Sequence, residues 1–505
     1  MINHIKYITK NTAIYSIGQL APKLVGFILL PFLTNPIYLS AADYGKLSLL
    51  EASSLLLITL FGFGLNYALE RWYWDKDYFD RRKSIIFTLL VSISVLIVLQ
   101  WSIISFFSGS LSLLLIGKED WGYLLNLLIL CSAIESLILI PTTLLRLEEK
   151  PILFVSSNLV RFLIYLVFAI YFLVFRKAGL EGIYEARLFS LISIFIILVP
   201  FLYKNIAIQF EWKALREMLL FRLPLVLSTL SYVIFNITDR FTLRILSDSS
   251  FKDVGVYNLG YTISNSVKVV ILSSIWLSVR PMIYKMMNEP NSKRFYSKLM
   301  KYIIFGTTCI LLLIALFGQE AIQLITRNDI YYQSFYIIPI ISIAIIFDTL
   351  KEISQSIGLN IVKKTGFIGI LMVAITALNI MLNILLIPLI GIYGAATSTA
   401  ISQIVFFIFI YRYAQKYYQV PYEIKKIIIM ILIYVLFVGL SLLISSFSIF
   451  IRIPAKLLLF IIFPFALYPF NFYEEIEIQR IKQFVTKWSH PKQFFNNIKG
   501  IKNIE

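Results

Sequence analysis

Of the 505 residues, 59% are apolar and 15% charged, and the mean hydropathy is +0.82. Soluble domains carry nearer a quarter charged residues, so this chain cannot be wrapped in a polar surface, which excludes a soluble enzyme, a secreted disulfide scaffold and a disordered tail protein. The 46 Lys and Arg against 28 Asp and Glu leave a net +18, and what that means depends on where along the chain the charges sit.

A helix needs about 20 apolar residues to cross a bilayer. On that criterion the chain predicts fourteen spans, with the first six at 13–33, 46–69, 84–107, 121–145, 152–175 and 182–203. The next six run over 219–246, 254–281, 300–317, 331–358, 366–387 and 392–413, and the last two over 424–445 and 451–470. The first is too long for a signal-peptide core and is read as retained. Cys131 and Cys309 fall inside apolar runs, and His4 and His490 lie near the chain ends. A disulfide framework, a metal site and interior imidazole chemistry are therefore all disfavoured.

With both termini inside, the inner segments hold 30 of the 46 basic residues. The outer ones hold eight: Lys46, Lys118, Arg176, Lys177, Lys252, Arg327, Arg452 and Lys456. This is the positive-inside asymmetry, so most of the +18 is a cytoplasmic anchor and not a nucleic-acid footprint. The remaining eight lie within spans: Lys23, Arg161, Arg187, Arg240, Arg244, Lys268, Arg280 and Lys351. Arg187 and Arg280 are near span ends, where a long side chain can snorkel.

Two landmarks recur at one offset. Asp43-Tyr44-Gly45 returns as Asp253-Val254-Gly255, and Gly182-Ile183-Tyr184 as Gly391-Ile392-Tyr393, at separations of 210 and 209. They argue for two six-span halves of the same orientation, as in parallel-repeat transporters. The expected architecture is an all-α polytopic membrane protein with lobes at 1–210 and 211–415, two added spans over 416–470 and a cytoplasmic tail over 471–505.

Charges inside a membrane cost several kcal/mol and normally face a cavity or a partner. Span seven carries Asn236, Arg240 and Arg244 on one stripe with Asp239 beside it, and span eight carries Lys268. Span one carries Lys23, span five Arg161, span two Glu51, span four Glu135, and span ten Asp348, Lys351 and Glu352. Asp348 and Lys351 can neutralise one another, which favours a structural role. Lys23, Arg244 and Lys268 have no acidic residue within a turn, so they are read as lining a cationic cavity for a phosphate-bearing substrate. Prolines within spans kink helices, mostly as static bends for packing, and Pro22 and Pro224, which begin the first helix of each half, are the positions to test for bending.

The segments IGQLAPKLVGFILLPFLTNPIYLSAADYGKLSLL (17–50) and FGFGLNYALERWYWD (61–75) resemble the opening motifs of bacterial polysaccharide-repeat flippases. RLEEKP (146–151), FRLPLVLSTLSYVIFNITDRFTLRIL (221–246) and DVGVYNLGY (253–261) resemble later ones. The family belongs to the multidrug/oligosaccharidyl-lipid/polysaccharide exporter superfamily. The resemblance implies two six-helix lobes, no enzymatic activity and no cofactor. It implies that an undecaprenyl-pyrophosphate-linked oligosaccharide crosses the bacterial cytoplasmic membrane for O-antigen or capsule synthesis. It also implies that spans thirteen and fourteen form a groove for the lipid tail, and that membrane lipids and polysaccharide polymerase machinery are the partners.

Lys23, Arg161, Arg240, Arg244 and Lys268 are the expected headgroup ligands. Asp239, Glu51 and Asp348 are the expected charge partners or sites of proton or Na+ coupling. A lipid II flippase is the alternative, and a multidrug antiporter of the same superfamily stands third because span one carries Lys23 where an acidic residue is typical.

Overall fold

The computed structural model describes residues 26–117, 122–364, 366–475 and 478–479. In a bilayer every backbone N–H and C=O must find a partner inside the protein, and helices achieve this segment by segment. Among the described residues the regular structure is accordingly all helical.

After a helical stretch over residues 26–33 come α1 (Ala41–Gly62), α2 (Leu65–Trp72), α3 (Arg82–Phe106), α4 (Ser108–Ile116), α5 (Gly122–Leu147), α6 (Pro151–Ile170) and α7 (Gly179–Lys204). Then follow α8 (Trp212–Leu246), α9 (Ser250–Ser266), α10 (Ser273–Met286), α11 (Ser292–Ile325), α12 (Ile337–Gln355), α13 (Gly366–Ile390) and α14 (Ile392–Tyr417). Helices α15 (Ile424–Leu443) and α16 (Ile449–Ala466) close the order.

Among the described residues twelve helical segments are long and apolar enough to cross a membrane, and α8 passes the same test as a pair of helices bent by 51°. Thirteen of the fourteen expected spans thus have a helical counterpart; the first lies outside the described residues except for its last turns. The α8 bend falls between Leu223 and Leu225, at the proline the sequence places at 224, where a backbone hydrogen bond is lost. Pro22 lies outside the described residues.

Expected span two is broken. Phe63 and Gly64 both adopt left-handed φ, 46° and 64°, which ends α1 and starts α2 in a new direction. Ser40 caps α1 by accepting from the Asp43 amide at 3.1 Å, and Lys46 holds the Asp43 carboxylate at 2.9 Å.

The chain divides into two compact units: residues up to Tyr296 with 318–420, and residues 297–317 with those from Pro421 onward. In the first, α1 and α9 cross at backbone contact. A Cβ on Gly45 would meet the Phe251 carbonyl oxygen at 1.8 Å, and one on Gly255 would meet that of Ala41 at 2.4 Å. Residues 41 and 45 stand 210 positions before 251 and 255, so the repeat offset read from the sequence is also the rule by which these two helices touch.

In the second unit α15 packs on α16. Lys298 bridges Glu423 and Glu474, each at 2.5 Å, and Lys426 adds a third ion pair to Glu423 at 2.7 Å. Lys301 is fully buried and donates to the Phe472 carbonyl at 3.1 Å. Arg452 and Lys456, counted above as outer-segment charges, lie in the first turns of α16 and are buried, Lys456 completely.

Candidate functional site

Each half of the first unit builds a polar cluster on its fourth span around one carboxylate. In the N-terminal half Glu135 of α5 accepts from Arg161 of α6 and from Arg187 of α7, both at 2.7 Å. Arg187 also donates to the Ser54 hydroxyl of α1 at 3.0 Å. Two guanidinium groups on one carboxylate leave a net charge of +1. The cluster lines a cavity of about 360 Å³ that also takes in Glu51, Tyr165 and Ser190. Glu51 is exposed to that cavity and forms no hydrogen bond or ion pair with another described residue.

In the C-terminal half Asp348 of α12 accepts from Lys268 at 2.5 Å and from Lys351 of its own helix. Lys268 stands in a π-helical turn, Val267–Leu272, between α9 and α10. Such wide turns push a side chain off the regular helical register and are frequent at functional sites. These three residues, with Arg280 and Glu352, which pair at 2.8 Å, line a cavity of about 840 Å³. Three cations against two carboxylates leave +1 on this wall, whereas Glu51 balances the N-terminal one. Its remaining wall includes Tyr232, Trp276 and Phe406, with Lys351 lying 4.7 Å from the Phe406 ring centre.

Asp239 and Arg240 do not pair. Asp239 is 3% exposed and accepts from Tyr257 of α9, from Thr399 of α14 at 2.6 Å and from Asn383 of α13 at 2.9 Å. No ion pair reaches it among the described residues. Arg240 instead donates to Asn258 at 3.1 Å and to the Asn236 carbonyl at 2.9 Å, under the Tyr261 ring. Among the described residues the side-chain amide oxygen of Asn383 is buried without a donor, while its amide nitrogen faces Asp239. Adjacent sequence positions on a helix are about 100° apart, which is why neighbours in the sequence serve different sites.

The expected cationic residues therefore separate. Lys268 and Arg161 line the C-terminal and N-terminal cavities respectively, each already engaged by a carboxylate from another helix. Arg244 lines neither of the two cavities. It holds the Leu114 and Leu113 carbonyls at 3.0 and 3.2 Å, donates to Ser250 at 2.8 Å and lies 4.1 Å from the Phe251 ring centre. This is an end-of-helix tether: carbonyls in the last turn of α4 lack a full set of intrahelical donors, and Arg244 supplies further ones. Lys23 lies outside the described residues.

Arg187, expected to snorkel, is drawn inward by Glu135. A sequence signal for this existed: Glu135 has no basic residue within a turn, so its partner had to come from another helix. Asn379 and Asn383, two amides one turn apart in an otherwise apolar span, were the comparable signal for the Asp239 site.

The Polysaccharide biosynthesis protein family matches residues 8–287. No curated protein matches the chain. Among solved structures, the lipid II flippase MurJ in an inward closed conformation is 15% identical, over 90% of this chain and 98% of that one, with a TM-score of 0.66. An inward-facing multidrug resistance MATE family transporter of the MOP superfamily is 15% identical over 80% and 94%, with a TM-score of 0.58. A mutant of the Vibrio cholerae MATE transporter VcmN gives 14% identity over 81% and 96%, with a TM-score of 0.53. At such identities the likeness is one of fold.

Proposed function

We propose that this chain, which belongs to the polysaccharide biosynthesis protein family, is a flippase for an undecaprenyl-pyrophosphate-linked oligosaccharide repeat unit of a bacterial surface polysaccharide, such as O-antigen or capsule. The observation that carries the reading is the C-terminal cavity, lined by three cationic and two anionic groups, with a second polar cavity in the N-terminal half where Arg161 and Arg187 face Glu135 and Glu51. A pyrophosphate approaching the C-terminal cavity meets Lys268, Lys351 and Arg280, and it can replace Asp348 as acceptor for one of the two lysines. Arg161 and Arg187 offer the same exchange with Glu135 in the N-terminal cavity. Charge-assisted bonds to phosphate oxygens repay the desolvation that burying an anion costs. Lys23 and Arg240 are further candidate ligands, whereas Arg244 serves as a tether.

Asp239 is the candidate site of ion coupling. A carboxylate buried without a cation gains most from binding a proton or Na+. Glu51 is the second acidic candidate. The product would pass to the polysaccharide polymerase machinery on the outer face of the cytoplasmic membrane.

Deleting the gene should cause lipid-linked repeat units to accumulate on the cytoplasmic side, with loss of surface polymer. Complementation by Lys268→Met at normal protein level should fail to restore it. Full restoration by that variant overturns the cationic-site assignment. The second reading, a lipid II flippase, draws on the fold likeness to MurJ over 90% of the chain. Accumulation of lipid II instead of repeat units in the deletion strain would establish it.

A further inference from the structure

The first unit carries another cavity, apart from both polar clusters. It is a groove of about 930 Å³ between α3 and the end of α7 with the loop that follows. Its depth is apolar and open to the surroundings: Val95 is 53% exposed, Val98 64% and Ile208 90%. One end of α3 adds Lys83, and the last residue of α7 adds Lys204. These lysines stand 121 positions apart in sequence and are brought to one mouth because the Ala207 amide donates to the Lys83 carbonyl at 3.2 Å. Neither pairs with a carboxylate among the described residues, and the nearby Glu211 is taken by Arg81 at 3.2 Å.

The charge asymmetry of the sequence assigns this mouth to the cytoplasmic face. Along α3 the groove wall runs from Lys83 to Leu99, about 24 Å at the rise of an α-helix. Half of a bilayer's hydrocarbon core is about 15 Å. A ligand that fills the groove therefore carries an anionic headgroup at the cytoplasmic surface and a hydrocarbon chain long enough to pass the midplane. Ordinary phospholipid chains end near the midplane.

We propose that this groove binds a polyprenyl phosphate lipid, with Lys83 and Lys204 on the phosphate and the isoprenoid chain along Val91, Val95 and Val98. The choice of lipid rests on the flippase reading. The groove is separate from the C-terminal helix pair that the family resemblance implies for the tail. Binding here would hold the carrier beside the N-terminal half while its headgroup is transferred to the polar cavities.

The test uses the full chain in vesicles of phosphatidylcholine with excess phosphatidylglycerol, and a diazirine-bearing polyprenyl phosphate of eleven isoprene units as probe. Photolabel should map to residues 91–99 and 206–208, and Lys83→Gln with Lys204→Gln should lower it about 30-fold, the effect of removing two near-surface lysines. Lys83→Arg with Lys204→Arg should retain it. Loss of labelling as phosphatidylglycerol is raised identifies a phospholipid site and overturns the proposal, as does labelling indifferent to the Gln pair in protein of unchanged monodispersity. Specific labelling in a protein whose deletion leaves lipid-linked intermediates unchanged would retain the site while removing the flippase reading.

Discussion

Glu135 shows how one side chain organises three helices. Removing its charge takes the ion-pair partner from both Arg161 and Arg187, and breaking a buried ion pair from one side costs about 3–5 kcal/mol. Glu135→Gln should therefore lower the thermal midpoint of the detergent-solubilised protein by several degrees, and by more than Arg161→Met, which leaves the second pair intact. Fluorescence-detected gel filtration after heating checks the order. Asp348 follows the same logic with two lysines, so Asp348→Asn should be worse than Lys351→Met.

Glu423, between α14 and α15, lends itself to a pH test. Burial pushes its carboxyl up, but hydrogen bonds from Lys298 and Lys426 and the charge of Lys301 more than offset this and hold it below the ordinary carboxylate value. A depressed native value means the stabilisation is present above the unfolded-state value and is lost as pH falls towards the native one. Acidification through the carboxylate range should thus loosen the 297–317 and 421–475 unit, and Glu423→Gln should flatten that acid dependence in a thermal melt. Equal slopes for the two proteins would refute this.

At the scale of elements, the α1–α9 crossing depends on two hydrogens. A methyl group on Gly45 would sit 1.8 Å from a backbone oxygen, and one on Gly255 2.4 Å from another. Backbone cannot swing aside as a side-chain end can, and overpacking costs about 1–3 kcal/mol or more. Gly45→Ala should reduce folded yield more than Gly255→Ala does. Gly109→Ala in α4, with nothing within 4 Å of the new Cβ, should be neutral or slightly stabilising. Quantifying monodisperse protein after extraction ranks the three. The repeat was legible in the sequence as a 210-residue offset, but the contact between its two copies was not, because self-similarity says nothing of which faces meet.

At the scale of the whole molecule, apolar length and charge asymmetry predict an even number of spans with both termini inside. With Cys131 and Cys309 replaced by alanine, a single cysteine at Asn205 should react with an impermeant maleimide only in inverted vesicles, and one at Asn328 only in intact cells. The reverse pattern would invert the topology.

The sequence by itself determined the all-helical membrane class, the order of the spans and the family, because apolar run length and motif order are one-dimensional properties. It also placed the ionisable residues inside the bundle. Only the tertiary structure decided their partners. Lys268 found Asp348 from another helix, Arg187 turned inward to Glu135, Asp239 was held by Tyr257, Asn383 and Thr399 and not by Arg240, and Arg244 became a tether. In a low-dielectric interior each charge goes to whichever complementary group the packing brings within hydrogen-bond reach, and helix packing brings together residues far apart in the chain.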